Sequence, residues 1–213
     1  LTSNLKAMVT AAVRLMGEIP YRRYAFISIG PGDGGLEHLN SQLVTFDAAK
    51  MAEPVEYART MRFLAHEYFH HFNVKRIRPV ALGPFDYDRE NLTRMLWFSE
   101  GATVYYEDLL LVRDGFFAPE EYLRRLASGL SAYESSPGRR FQSPAEASFD
   151  SWFGYFDRSE HLRNTTVSPY DAGLAVSFLL DLEIRHATEN RRSLDDVMRA
   201  LYRTYAKEKG RGF

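Results

Sequence analysis

The 213-residue chain carries 27 lysine and arginine residues against 28 aspartate and glutamate residues, a formal net charge of -1. This balance gives no electrostatic reason to expect a nucleic acid or an anionic membrane surface as a partner, so we predict neither. Cysteine is absent, which excludes disulfides and cysteine-ligated metal sites, and no apolar run approaches the ~18 residues that a membrane span needs.

The first 54 residues combine one helix with strands. Apolar side chains at helical spacing predict a helix over residues 4–17, and the β-branched and aromatic residues of YAFISIG (24–30) predict a strand. After the glycine-rich segment GPGDGG (30–35), the segment LEHLNSQLVTF (36–46) predicts a second strand. This part of the chain is therefore predicted to hold a small β-sheet.

From about residue 55 onward the pattern is helical, apart from residues 134–160, which are predicted to be irregular. Helices are predicted over residues 56–74 and 92–114 and from near Pro119, Ser168 and Ser193. Strands followed by helices, without internal repeats, are typical of the α+β class. We therefore predict a single α+β domain in which a small N-terminal sheet, within residues 1–54, packs on a mostly helical part, residues 55–213.

The segment HEYFH, residues 66–70, places two histidines four residues apart in a predicted helix. At about 100° per residue, His66 and His70 lie on one face, one turn apart, where two imidazoles can bind one zinc ion. Glu67 stands beside them and can act as a general base on water. The alternative is a pair of surface histidines with a solvated glutamate between them. His71 turns away from the shared face, and we interpret it as structural.

A catalytic zinc ion typically takes three protein ligands, and without cysteine the third must be His, Asp or Glu. Glu100 in LWFSEG is flanked by apolar residues that would carry it into the interior, where a carboxylate is costly unless it is paired or coordinated. A salt bridge to an arginine is the alternative. Glu107, on the same helix face as Glu100, and Asn73, seven residues after His66, are placed to hold the ligand histidines through their second ring nitrogens. Simple helix packing would explain both positions equally well.

The segment SPYDAG, residues 168–173, predicts a helix start with Ser168 as the N-cap residue and Pro169 in the first turn. Tyr170 would then lie near the helix N-terminus, where a phenol can donate a hydrogen bond to an oxyanion. From these residues alone, a core tyrosine is the better interpretation.

Four segments in this order, GGLEH, HEYFHHFNVKRIRP, LWFSEGATVYYEDLLL and SPYDAGLAVSFLLDLEIR, resemble the glycyl aminopeptidase family of zinc metallopeptidases. Members of that family are gluzincins with a thermolysin-like catalytic domain, and they are distantly similar to the aminopeptidase N family. The resemblance implies that His66, His70 and Glu100 bind one zinc ion per chain and that Glu67 is the general base. It also implies that Tyr170 stabilises the tetrahedral intermediate.

The resemblance further implies removal of the N-terminal residue from peptides, with glycine or alanine preferred. GGLEH stands where the aminopeptidase N family carries Gly-Ala-Met-Glu-Asn. We predict that Gly34 and Gly35 let a substrate backbone approach the strand closely, and that Glu37 faces the metal and holds the substrate α-amine. Because side chains alternate along a strand, His38 is predicted to face the core or the groups behind the metal ligands.

A β-rich domain before this region and a PDZ-like domain after it are also implied, so we interpret the chain as a catalytic domain from a longer protein. The predicted partners are peptides with a free N-terminus, and the predicted location is the cytoplasm. Two other functions are alternatives: a zinc endopeptidase of the same fold, and a non-catalytic peptide-binding module. Glu37, a carboxylate that can hold a free α-amine, disfavours the endopeptidase. The complete set of metal ligands, general base and tyrosine disfavours the binding module.

Overall fold

The structure, a computed structural model, describes residues 1–155 and 159–213. It is mixed and mostly helical, with one three-stranded sheet, so the predicted α+β class is confirmed. The helices of these residues are α1 (Thr2–Met16), α2 (Pro54–Phe69), α3 (Ala102–Arg113), α4 (Pro119–Ser135), α5 (Pro144–Phe149), α6 (Ser151–Gly154), α7 (Glu160–Thr165), α8 (Pro169–Ala187) and α9 (Leu194–Leu201). Two π-helical segments, Trp97–Gly101 and Tyr202–Lys209, precede α3 and follow α9.

The sheet consists of β1 (Ala25–Ile29), β2 (Gly34–Glu37) and β3 (Ser41–Thr45) in the order β1-β3-β2. The prediction of one strand over residues 36–46 is wrong, because this segment folds back on itself as the hairpin of β2 and β3. The His38 amide donates to the Ser41 carbonyl at 2.9 Å and closes the hairpin. β2 pairs antiparallel with β3, while β1 runs parallel to β3. Among the described residues, β2 is therefore an edge strand.

The two long predicted helices are both shorter than their apolar patterns suggested. α2 ends at Phe69 rather than at residue 74, and His70 is its C-cap residue. The helical region predicted over 92–114 begins only near Leu96, where the chain enters the π-helical turn before α3. The region 134–160, predicted to be irregular, contains the short helices α5 and α6, and its residues 156–158 lie outside the described residues.

One face of the sheet packs on α2. Gln42 and Val44 of β3 are both fully buried, and the Gln42 side-chain amide donates to the Leu64 carbonyl of α2 at 3.2 Å. β2 pairs with these residues through Gly35, opposite Val44, and Glu37, opposite Gln42. The edge strand therefore lies alongside the helix that carries HEYFH, with Gly35 and Glu37 on the face that looks toward it.

Candidate metal centre and active site

The two histidines of HEYFH come together at the C-terminal end of α2. The His70 amide donates to the His66 carbonyl at 3.2 Å, so the helical turn between them is kept although α2 formally ends at Phe69. Their rings are buried, and their Nε2 atoms lie 2.9 Å apart. The predicted placement on one face is thus what the structure shows, with the two Nε2 atoms adjacent.

The third group of the cluster comes from the π-helical turn Trp97–Gly101. Glu100 Oε2 lies 3.2 Å from the Nε2 atoms of both His66 and His70. The candidate ligand atoms of the three residues all lie within 4.8 Å of one another. π-helical turns are rare and are frequently found at functional sites, and here the wide turn is the element that presents the carboxylate. Two imidazoles and one carboxylate fit a catalytic zinc ion, whose fourth position stays open.

Both imidazoles are fixed from behind through their Nδ1 atoms. His66 Nδ1 is 2.7 Å from Glu107 Oε2, and His70 Nδ1 is 2.7 Å from the Asn73 carbonyl. Each ring therefore donates its Nδ1 proton away from the cluster and leaves Nε2 free to bind a metal ion. Glu107 contacts His66 with its side chain, whereas Asn73 contacts His70 with its backbone carbonyl, because α2 has already ended there.

The Asn73 side chain has a separate role. It is fully buried, and its Nδ2 donates to the Phe98 carbonyl, the Ser99 carbonyl and Thr103 Oγ1 at 3.0–3.1 Å. These acceptors belong to the π-helical turn and the start of α3. Asn73 therefore joins the end of α2 to the turn that carries Glu100.

Replacing Asn73 by aspartate is expected to lower the free energy of unfolding by about 3 kcal/mol, because a buried carboxylate would then face three acceptor oxygens. Chemical denaturation of the metal-free protein measures the change. Asn40→Asp is the control, since Asn40 is exposed in the hairpin turn, and we expect its effect to stay within about 0.5 kcal/mol. Equal stability of Asn73→Asp and the wild type would contradict this role.

The electrostatics of the cluster favour a cation. Burial alone would lower the pKa of His66, but the carboxylates of Glu100 and Glu107 outweigh it and raise the pKa to about 10. Burial would raise the pKa of Glu100, yet the two histidines hold it well below its ordinary value. The field that stabilises a proton on the imidazoles would equally stabilise a divalent ion between them.

Glu67 faces the edge strand beside the cluster. A Cβ atom at Gly35 would lie 2.3 Å from Glu67 Oε1 and 2.7 Å from the Phe63 ring, so a larger residue here would displace these side chains. Glu67 Oε2 is buried and, within the described residues, has no hydrogen-bond partner. Burial is the main cause that raises the pKa of Glu67 to about 7. A carboxylate with an unused oxygen and this pKa is suited to accept a proton from water.

The position of Gly35 also determines which way Glu37 points, because side chains alternate along a strand. Glu37 shares the face of Gly35 and lies near enough to Glu67 and His70 for its charge to raise the pKa of both. Its Oε1 is 3.2 Å from Lys75 Nζ, an ion pair that no pattern in the sequence predicts. The predicted inward orientation of His38 is wrong: β2 ends at Glu37, and His38 is exposed at the hairpin turn.

Gly34 is bound to the neighbouring strand rather than to α2. Its amide donates to Thr45 Oγ1 at 2.6 Å, and that hydroxyl donates back to the Gly34 carbonyl at 2.9 Å. The structure thus places Gly35, but not Gly34, directly against Glu67. His71, interpreted as structural, is fully buried, and its ring lies 4.5–5.5 Å from those of Tyr21, Tyr24 and Tyr68.

α8 brings Tyr170 to the cluster through a contact between glycines. A Cβ at Gly101 would lie 2.3 Å from Gly173 Cα, and a Cβ at Gly173 would lie 1.9 Å from the Trp97 carbonyl. Only glycine permits α8 to pack this closely on the turn that carries Glu100. Burial is the main cause that raises the pKa of Tyr170, and the charges of Glu100 and Glu67 add to it. Tyr170 therefore keeps its proton and remains a donor beside both carboxylates.

A cavity of about 560 Å³ adjoins the cluster and runs between the hairpin and α2. Its lining includes His66, Tyr170, Phe63, Arg59 and Asp33. The cavity therefore connects the candidate metal ligands with the glycine-rich segment that precedes β2, through Gly32 and Asp33.

A comparison with protein-family models matches residues 59–176 to the M61 glycyl aminopeptidase family. The match covers more than half of the chain and contains every residue of the candidate metal centre. The chain belongs to the M61 glycyl aminopeptidase family. β2, with Glu37, lies outside the matched residues, so the role of this glutamate depends on the geometry and not on the match.

The M61 assignment agrees with a comparison of structures. The chain is similar to an aminopeptidase N family protein from Idiomarina loihiensis, with a TM-score of 0.90 and 32% sequence identity over 98% of the chain. The chain spans 37% of the length of that protein. A comparison with curated protein sequences finds no match. No helix among the described residues is both long and apolar enough to cross a membrane.

Proposed function

We propose that the chain is the catalytic part of a zinc-dependent aminopeptidase that hydrolyses the N-terminal peptide bond, with glycine or alanine preferred at the first position. Membership of a peptidase family supports hydrolysis of peptides. The observation that carries the proposal is the convergence of His66, His70 and Glu100 within 4.8 Å, with the unpaired oxygen of Glu67 beside them.

In this proposal His66, His70 and Glu100 would hold a zinc ion, which would act as a Lewis acid and lower the pKa of water to about 7. Glu67 accepts the proton of the attacking water and passes it to the departing amine. The Tyr170 hydroxyl donates a hydrogen bond to the oxyanion that forms on the scissile carbonyl. Glu107 and the Asn73 carbonyl keep the ligand imidazoles in the required orientation throughout.

Glu37 is the group that distinguishes an exopeptidase in this proposal. It shares a strand face with Gly35, which touches Glu67, so it lies beside the catalytic base rather than across the sheet from it. Its contact with Lys75 involves Oε1, and a carboxylate has a second oxygen that can accept from a substrate ammonium. The α-amine of the substrate would then share Glu37 with Lys75.

Replacing Glu37 by glutamine is expected to lower kcat/KM for free-amine aminoacyl anilides by about 10- to 100-fold, the cost of losing a hydrogen bond to a charged group. Glycyl, alanyl and larger aminoacyl anilides are compared with their N-acetylated forms. The N-acetylated forms are expected to be poor substrates for the wild type and to be unaffected by the substitution.

Glu56→Gln is the matched control, since Glu56 lines the cavity beside His66 and pairs with Arg59 rather than with Lys75. Equal wild-type rates on free and N-acetylated substrates would contradict the aminopeptidase proposal and favour a zinc endopeptidase of the same fold. A metal content near zero in the native protein would instead favour a non-catalytic peptide-binding module.

A further inference from the structure

A half-buried arginine, whose side chain is 29% exposed, lies one helical turn before the first candidate ligand. Arg62 is four residues before His66 on α2, so both side chains lie on the same face of the helix. Its guanidinium makes two short bonds, from Nη2 to Glu107 Oε1 and from Nε to Asp108 Oδ1, each of 2.6 Å. The two carboxylates are only 9% and 11% exposed, and this cation forms an ion pair with each of them.

Glu107 is held at both of its oxygens. Oε1 accepts from Arg62 and Oε2 accepts from His66 Nδ1 at 2.7 Å. A carboxylate that is bound at opposite ends cannot rotate without breaking one of these bonds, and charge-assisted bonds of this length are strong. The orientation of Glu107, and with it the tautomer and tilt of the His66 ring, is therefore set by Arg62.

The charges of this group are arranged for a metal centre. Arg62 contributes one positive charge and Glu107 and Asp108 contribute two negative charges, so the group is net negative behind His66. The two carboxylates outnumber the one guanidinium that bonds to both, and this excess of negative charge favours a cation on the far side of the imidazole.

We propose that Arg62 is a positioning residue of the metal centre, which fixes Glu107 against His66 and thereby raises the affinity of the site for zinc. This inference rests on the metal centre of the proposed function, but not on peptide hydrolysis. It assigns Arg62 no contact with substrate, although its side chain lines the cavity beside His66.

Arg59 provides the matched control. It lies on the same helix and lines the same cavity, but its side chain is 65% exposed and it pairs with Asp33 and Glu56 rather than with Glu107. If zinc affinity depended only on the net charge of the cavity, Arg59→Met and Arg62→Met would therefore lower it alike. If it depends on the contact with Glu107, Arg62→Met alone would lower it.

The experiment measures zinc affinity of the 213-residue chain by competition with a chelator, for the wild type, Arg62→Met, Glu107→Gln, the double variant and Arg59→Met. Arg62→Met is expected to bind zinc about 10- to 100-fold more weakly, as is typical when a group behind a metal ligand is lost. The double variant is expected to bind no more weakly than Glu107→Gln, because Arg62 acts through Glu107. Arg59→Met is expected to stay within about twofold.

Wild-type zinc affinity in Arg62→Met would overturn the inference, and so would a double variant whose loss equals the product of the two single losses. A raised KM with unchanged zinc affinity would overturn it as well, since that result assigns Arg62 to the substrate.

If Arg62→Met does not fold, Arg62→Lys carries the test, because one ammonium cannot span both carboxylates as the guanidinium does. Wild-type affinity in Arg62→Lys would then overturn it. Absence of zinc binding in the wild type would instead contradict the proposed function itself.

Discussion

Glu67→Gln is expected to lower kcat by about 10²- to 10⁴-fold, the usual contribution of a positioned general base. Glutamine has nearly the same shape, so it fits against Gly35 as the carboxylate does, but its amide cannot take a proton from water. Turnover of alanyl anilide under saturating conditions measures the loss. KM is expected to change little, because glutamine keeps the size of Glu67 and therefore its fit against Gly35.

The control for Glu67→Gln is its metal content. Glu67 is not one of the three candidate ligands, so the purified variant is expected to hold zinc at the wild-type stoichiometry. A zinc-loaded variant that turns over at the wild-type rate would remove Glu67 from the mechanism. Loss of zinc together with activity would mean that the carboxylate serves the metal and not the water.

The candidate metal centre was the part of the molecule that the sequence predicted best. His66 and His70 are four residues apart within one helix, so local geometry alone determines that they share a face. Glu100 required one more argument, that an acidic residue among apolar neighbours needs a partner in the interior. The family resemblance then supplied Tyr170, whose approach to the cluster depends on a packing contact between helices that no local pattern reveals.

The features that could not be predicted lie where a helix or a strand ends. The strand pattern over residues 36–46 does not show that the chain reverses after Glu37, and for this reason His38 was assigned to the wrong face. The helical pattern likewise runs past Phe69, although Asn73 lies beyond the helix and binds His70 with its backbone. Periodic apolar residues indicate burial. A buried turn at the end of a helix shows the same apolar pattern as the helix itself.

Arg62 and Lys75 were missed for a different reason. Both are charged residues near the motif, and the sequence alone gives no indication which carboxylate a lysine or arginine will meet. The one available signal for Arg62 was its spacing, four residues before His66 on the helix that carries the site. Only the tertiary structure shows that its partners are Glu107 and Asp108, two adjacent residues of α3.

Tyr170→Phe is expected to lower kcat by about 10²- to 10³-fold, which is what removal of one oxyanion donor typically costs. Phenylalanine keeps the ring and its stacking on Tyr155, with centroids 5.2 Å apart, and loses only the hydroxyl. Because that donor acts on charge that exists only in the transition state, KM and zinc affinity are expected to stay near the wild-type values. Steady-state kinetics with alanyl anilide and a chelator titration measure the three quantities.

Tyr133→Phe is the matched control for Tyr170→Phe, since Tyr133 packs against the small cluster that includes Ala172 of α8. Its loss of a hydroxyl is expected to leave kcat within about twofold, because it serves packing and not the oxyanion. An equal fall of kcat in both variants would show that α8 responds to any tyrosine substitution and would remove the oxyanion role. A Tyr170→Phe effect confined to KM would place the hydroxyl on the bound substrate, where it would stabilise the ground state and the transition state alike.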